Sequence, residues 1–154
     1  MERHQARLVT PFAVLGITTQ ADALTGIEFL PRSTPPLAPR NSVAEEACRQ
    51  LHAYLQDPHF AFRLPVCIEG TSHRKKVWAA LSRIPPGQPL TYGELARRLG
   101  SAPRAVGQAC AANPLPVLIP CHRVVGATGL GGFMGAGDGD PLAIKAWLLR
   151  HESR

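Results

Sequence analysis

Asn113-Pro-Leu-Pro-Val-Leu-Ile-Pro-Cys-His-Arg-Val-Val125 is the stretch on which the reading of this 154-residue chain turns. Pro114, Pro116 and Pro120 interrupt a run that is otherwise apolar. Each proline fixes its own φ and pushes the residue before it toward extended geometry, so no helix can pass through. The expected shape is a stiff extended segment, Leu115 to Ile119, that delivers Cys121 and His122 to a fixed point at the end of a buried strand. A cysteine beside a histidine suggests an activated thiol, because the thiolate is the nucleophile and only about 3% of a free cysteine is ionised at neutral pH. Successive side chains of an extended chain point to opposite faces. A base reaching Cys121 through a water is therefore easier to build than a direct Cys121–His122 hydrogen bond. On the dipeptide alone, a small buried hydrophobe next to a satisfied histidine is the more frequent case.

The residues leading up to this stretch prescribe helices. From about Ser72, Val77, Ala80, Leu81 and Ile84 form one apolar stripe, ended by Pro85-Pro86-Gly87. Thr91-Tyr-Gly-Glu94 is a capping box opening a helix with Leu95 and Leu99 inward, and Gly100 closes it. Ser101 can cap a second helix, Ala102 to Ala112, with Pro103 tolerated in its first turn and Asn113-Pro114 as its stop. Two short helices joined by a Gly-Ser turn read as a helix-turn-helix. In the second, Ala102, Ala105, Ala109 and Ala112 fall at spacings of three, four and three, a face of bare methyl groups suited to close packing or to approaching a groove. Arg104 sits in its first turn, where a cation opposes the helix dipole, so a functional reason and an ordinary solvated arginine both remain open.

Beyond Val125, seven glycines fall within residues 126–139. No complete Walker pattern and no G-x-G-x-x-G set between strand and helix is present, so a close-fitting loop beside the thiol is a better reading than a phosphate cradle. Asp140-Pro141 then opens a last helix with Ile144, Trp147, Leu148 and His151 on one face and Glu152 near its end.

The first part of the chain is different. Leu8-Val9, Ala13 to Ile17 and Leu24 to Leu30 are apolar or β-branched runs broken by Pro11, Gly16 and Gly26, which suits an antiparallel hairpin or meander. Pro31 to Pro39 is a loop, and Ser42-Val-Ala-Glu45 reads as a capping box for a helix that runs to Asp57-Pro58. The fold class is thus α+β, with a small antiparallel-sheet domain carrying one helix over residues 1–68. A helical domain with the helix-turn-helix and the cysteine loop follows over 69–154. Charge divides the same way. Residues 1–69 carry six Lys/Arg against seven Asp/Glu, whereas residues 70–154 carry eleven against four and so hold all of the net +6. Such asymmetry fits a polyanion partner as well as it fits a solvated basic face. The four cysteines are scattered without a C-x-x-C pair, and no histidine spacing suggests metal. No apolar h-region begins the chain and no run is long enough to span a bilayer, so reduced thiols in a cytoplasmic protein are expected.

These pieces together resemble the O6-alkylguanine-DNA alkyltransferases, the methylated-DNA–protein-cysteine methyltransferases. The resemblance rests on Asn113-Pro-x-Pro-x-x-Ile-Pro and Pro120-Cys-His-Arg-Val-Val125. It extends to Thr91-Tyr-Gly-Glu-Leu-Ala96, Arg104-Ala-Val-Gly107 and Lys145-x-Trp-Leu-Leu-x-His-Glu152, covering about residues 70 to 154. It implies that Cys121 irreversibly accepts a methyl or alkyl group from O6 of a flipped guanine, and less efficiently from O4-methylthymine. His122 would act as base through a water, and Glu152 would orient it. Tyr92 would protonate the departing guanine and Asn113 would brace the turn holding the thiol. The N–H of Met134, beside Phe133, would bind O6, and the carbonyls of Cys121 and Val124 would read the exocyclic amine. Arg104 would fill the gap in the base stack. Ala102, Ala105 and Ala109, with Arg104 and Arg123, would face the minor groove, which is narrow enough to require small side chains.

The partner so implied is duplex DNA containing O6-alkylguanine, with no cofactor, no membrane, no obligate protein partner and a monomeric protein. Phe133 stands where the family often has tyrosine, and His73 where an aromatic is common. Residues around Gly137-Asp-Gly-Asp-Pro141 lengthen the loop. The N-terminal zinc site of some members is not expected, because only His4 lies near the start and no cysteine precedes Cys48. Two rivals are an alkyltransferase-like protein that binds lesions without repairing them, which lacks the acceptor cysteine, and an unrelated cysteine hydrolase, which needs a distant histidine and an oxyanion hole.

Overall fold

The computed structural model describes residues 3–134 and 140–154, and the chain divides into two units, Met1–Glu69 and Gly70–Arg154. Residues 135–139 of the lengthened glycine loop, and the first two residues read above for a leader segment, lie outside the described residues.

In the first unit, β1 (Ala6–Val9), β2 (Val14–Gln20) and β3 (Ala23–Leu30) form the expected antiparallel meander in the order β1-β2-β3. The sheet packs on α1 (Ser42–Gln56), and Leu15, Ile17, Leu24, Leu51 and Tyr54 close the core between them. Burial of this kind contributes roughly 1.5–3 kcal/mol per large side chain. Helix α1 starts one residue differently from expectation. Asn41, not Ser42, is the N-cap, its Oδ1 accepting from the Ala44 N–H at 2.8 Å. Asparagine caps a helix as well as serine does. Gln50, buried on α1, grips both the N–H and the carbonyl of Arg63, and Leu24 bridges Val66 in parallel, so the segment after α1 is tied back to the sheet.

The second unit is helical. Helix α2 (Ser72–Leu81) buries Val77, Trp78 and Leu81. A two-residue parallel pairing of β4 (Leu90–Thr91) with β5 (Val124–Val125) joins the start of α3 to the end of the cysteine stretch. Helix α3 (Tyr92–Leu99) has the predicted capping box at Thr91 and Glu94 and ends on Gly100 at φ 63°, a left-handed position that glycine occupies without strain. Helix α4 (Pro103–Ala111) follows, and α5 (Asp140–Glu152) ends the unit.

Ser101 does not cap α4. Ala102 holds that position without a side-chain bond, while the Ser101 hydroxyl pairs with the His73 imidazole at 2.9 Å. Pro103 at the first helical position supplies the needed φ and has no N–H to satisfy.

Candidate active site

The stretch before the thiol is a turn rather than the extended strand that its prolines suggest. Val117 adopts φ 78°, the Ile119 N–H returns to the Leu115 carbonyl at 2.8 Å, and Pro116 bridges Ile119. Prolines exclude helix but permit tight turns equally well, and that choice was made by packing: Leu115, Val117 and Ile119 are all buried. Asn113 holds the turn at both ends. Its Oδ1 accepts from the Leu115 N–H at 2.9 Å, and its Nδ2 donates to the Ile119 carbonyl at 2.8 Å. That same carbonyl accepts the Cys121 N–H at 2.8 Å, so the asparagine fixes the backbone one step from the nucleophile. Pro120, at φ −81° and ψ 67°, makes the inverse γ-turn from which a short 3-10 turn, Cys121–Arg123, sets out.

Cys121 is only 2% exposed, yet it lines a cavity of about 520 Å³. Tyr92, Arg104, Cys110, Phe133 and Met134 line it too, with small residues of α4 along one side. A volume of that size lies within the range of small-molecule sites.

Behind the thiol lies a buried chain of charge. His122 and Glu152 are both shielded from solvent, with Nε2 to Oε2 at 2.7 Å. Arg123 forks onto the same carboxylate, Nε to Oε1 at 2.8 Å and Nη2 to Oε2 at 3.0 Å, and its Nη1 donates to the Ile84 carbonyl at 2.6 Å. A carboxylate only accepts, so Nε2 of His122 carries the proton and Nδ1 presents its lone pair. Nδ1 is the one buried side-chain N or O atom with no hydrogen-bond partner among the described residues. Burial lowers the His122 pKa below the ordinary histidine value, outweighing the pull of Glu152 in the other direction. The imidazole is therefore neutral at neutral pH and available as a base.

The thiol is held in reserve. Burial pushes the Cys121 pKa up to about 11, opposed by the Asn113 hydrogen bond and the charge of Lys145. Resting Cys121 is thus a protonated thiol that ionises only when a base takes its proton. Burial, and then the thiols of Cys110 and Cys121, push Tyr92 up to about 12, which keeps its proton available for donation. The Tyr92 hydroxyl donates to the Gly132 carbonyl at 3.2 Å. Gly131 adopts φ 74°, and a Cβ there would lie 2.8 Å from the Tyr92 ring, so only glycine allows the loop this close to the tyrosine.

Several residues singled out from the sequence stand elsewhere. Arg123 is turned inward, its nitrogens engaged by Glu152 and Ile84, so it braces the carboxylate. Ala109 is buried at 1% exposure, and its carbonyl accepts from Trp78 Nε1 at 2.8 Å. The small residues that line the cavity are Pro103, Gly107 and Ala111, at four-residue spacing, with Arg104 beside them. Ala102 is exposed and Ala105 half-buried. Val124 is fully buried and does not line the cavity, and its carbonyl accepts from Lys145. Trp147 is half-buried rather than part of the inner stripe, and stacks on His151 at 4.9 Å.

Two residues were given no role. Cys110, assigned no role above, opens on the same cavity as Cys121. Lys145 is fully buried on α5, and its Nζ donates to three carbonyls, Val124 at 2.7 Å, Leu130 at 2.6 Å and Gly132 at 2.8 Å. It also lies 5.6 Å from the centre of the Tyr92 ring. Burial draws its pKa down to about 8, and three acceptors that each need a proton keep it an ammonium at neutral pH. A signal existed: Lys145 and Glu152 are seven residues apart and so share one face of α5. Among the described residues no group of three or more His, Cys, Asp or Glu side chains is placed to hold a metal ion.

The fold and the site together define a protein with a buried nucleophilic thiol set beside a helix-turn-helix. Residues 72–154 match the family model for the 6-O-methylguanine DNA methyltransferase DNA-binding domain. A methylated-DNA–protein-cysteine methyltransferase of Archaeoglobus fulgidus is 42% identical over 113 residues, 73% of this chain and 77% of the relative. One from Mycobacterium leprae is 36% identical and spans 97% of this chain and 92% of its own. Among solved structures, the Mycobacterium tuberculosis O6-methylguanine methyltransferase superposes with a TM-score of 0.79 at 32% identity, covering 97% of this chain and 92% of that one. The M. tuberculosis protein in complex with DNA superposes at 0.78 with 30% identity, covering 96% and 91%. This chain belongs to the methylated-DNA–protein-cysteine methyltransferase family.

Proposed function

We propose that this protein repairs DNA by direct reversal, moving the alkyl group of O6-alkylguanine in duplex DNA onto Cys121 and being consumed by the event. The observation that carries the reading is a cysteine on the wall of a 520 Å³ cavity, followed in the chain by a buried histidine whose Nε2 is bound to Glu152 and whose Nδ1 is unpaired.

Glu152 holds His122 as the neutral tautomer with basic Nδ1. Through a water, His122 takes the proton of Cys121 as the thiolate forms. Sγ attacks the alkyl carbon in line, the S–C bond forms, and the C–O6 bond breaks with its electron pair passing to the guanine. Tyr92 donates its proton to the departing base, and the N–H of Met134 supports the charge on O6. The product is a thioether, with no easy route back to a thiol, which makes the protein single-turnover. Asn113 keeps the nucleophile on line, and Lys145 holds the loop that bears Gly132 to Met134. A guanine inside a duplex is shielded and its eversion costs a few kcal/mol. Arg104, at the first turn of α4 and on the cavity wall, fills the gap left in the stack, while Pro103, Gly107 and Ala111 let α4 approach the minor groove.

A monomer acting in the cytoplasm, wherever the DNA is, fits this reading. No described helix is long and apolar enough to cross a membrane. A lesion-binding relative without repair activity is the less favoured reading, because the acceptor cysteine is present at the cavity.

Titrating the protein with a duplex carrying a single O6-methylguanine tests this. Restored guanine is expected to plateau at one per protein molecule, and Cys121→Ala is expected to restore none while still binding the duplex. Continued turnover beyond that plateau defeats the suicide mechanism. A second expectation concerns Arg104→Ala, which should slow repair in duplex by at least about tenfold, since a few kcal/mol of eversion is no longer offset. Reaction with free O6-benzylguanine, which needs no eversion, should stay within about twofold of wild type. Equal losses on both substrates would remove the stack-filling role.

A further inference from the structure

A second cavity, of about 290 Å³, opens between the end of α2, the Pro85–Leu90 turn and α3, and none of its lining residues reaches the Cys121 cavity. Its floor is aliphatic, made by Ile84, Leu90, Leu95 and Leu99. Ile84 and Leu95 are buried, while Leu90 and Leu99 are half-buried and open to the space. Arg83 and Arg98 stand on its wall, both exposed. Neither guanidinium makes a hydrogen bond or ion pair to the described residues.

The charges of this unit leave them unmatched. Its described carboxylates are Glu94, used in the α3 capping box, Glu152, shared by His122 and Arg123, and Asp140 at the start of α5. An apolar pit flanked by two uncompensated guanidinia calls for a ligand with an apolar group between anionic ones. Arginine binds carboxylates through paired N–H donors, and a buried aliphatic or aromatic anchor carries most of the energy at small interfaces. A DNA backbone supplies the anions but presents sugars and phosphates, with no protruding aliphatic or aromatic group to insert into the pit. An acidic peptide segment supplies both. We infer that the Arg83–Arg98 pocket is a docking site for a protein partner, which inserts one aliphatic or aromatic side chain and places acidic residues on the two arginines.

The pocket shares only the Ile84 backbone with the Arg123–Glu152 network, and neither arginine bonds to an alkyl-transfer residue, so the two side chains can be changed without touching that chemistry. The full-length protein is immobilised and challenged with a display library of random heptapeptides. The expected result is enrichment of sequences with Asp or Glu on both sides of a Leu, Ile, Phe or Met. Synthetic peptides of the enriched type should lose at least about tenfold in affinity for the Arg83→Glu/Arg98→Glu protein. That variant should react with free O6-benzylguanine at the wild-type rate, which shows that it is folded. Enrichment lacking that pattern, or peptides that bind the double variant as tightly, overturns the inference. So does a library with no enrichment combined with weakened duplex binding by the double variant, since the arginines would then belong to the DNA contact.

Discussion

Replacing Glu152 with alanine is expected to destabilise the protein by about 3–5 kcal/mol, the usual consequence of removing one partner from a buried ion pair. The Glu152 side chain has no solvent exposure, and Arg123, at 12%, has little. Among the described residues, without the carboxylate the guanidinium keeps only the Ile84 carbonyl, and the Nε2 proton of His122 has no acceptor. Both losses act on the same few atoms, so they are not additive. Alkyl transfer should fall by about 10²–10⁴-fold, the range that a lost general base commands, because the imidazole no longer has a fixed tautomer. Glu152→Gln separates the two effects: it keeps the shape and an acceptor oxygen but loses the charge that balances Arg123. Denaturant midpoints and single-turnover rates measure both. A Glu152→Ala protein of unchanged stability, reacting at the wild-type rate, would show that the buried network is idle.

Lys145→Met should be the second large effect, and it should appear in both rate and stability. Methionine fills the volume but withdraws three N–H donors, leaving the Val124, Leu130 and Gly132 carbonyls to find others. Each buried carbonyl so stranded costs about 1–3 kcal/mol, less where water reaches it. Gly132 also accepts from Tyr92, so the loop, the proton donor and the cavity wall shift together. The lost charge matters as well, since Lys145 is one of the groups that draw the Cys121 pKa down. A fall of about 10²–10³-fold in alkyl transfer is expected, on the scale of a removed electrostatic stabiliser. The loss should be similar on duplex and on free O6-benzylguanine, unlike that of Arg104→Ala. A Lys145→Met protein within about threefold of wild type on both substrates would reduce the lysine to a structural filler.

How far the sequence reached depends on the kind of signal. The capping box at Thr91 and Glu94 and the Gly100 stop act through local backbone chemistry, and α3 forms where they place it. The meander of the first unit follows from short β-branched runs and turn residues in the same way. The proline stretch was harder. Proline forbids helix without choosing between strand and turn, and burial of Leu115, Val117 and Ile119 made the choice.

Side-chain direction was least legible. Ala109 looks like part of a surface stripe until Trp78, thirty-one residues away, claims its carbonyl, and Arg123 looks like a groove-facing residue until Glu152 turns it inward. Lys145 went unread for a related reason: a lysine is a surface residue by default, and only the three carbonyls gathered around it from other segments make burial tolerable. Cys121, His122 and Glu152 were picked out by resemblance rather than by the dipeptide, and the structure brings His122 and Glu152 together at 2.7 Å.

Two thiols, Cys110 and Cys121, share the cavity, and burial raises both, Cys110 to about 12 and Cys121 to about 11. Only Cys121 has Asn113 to support its thiolate and His122 next to it in the chain. The most direct measurement is peptide mapping by mass spectrometry after reaction with excess duplex bearing O6-methylguanine. A single methyl group on Cys121, with Cys110 unmodified, is the predicted result. Methyl on Cys110, or complete repair with neither sulfur alkylated, would contradict it.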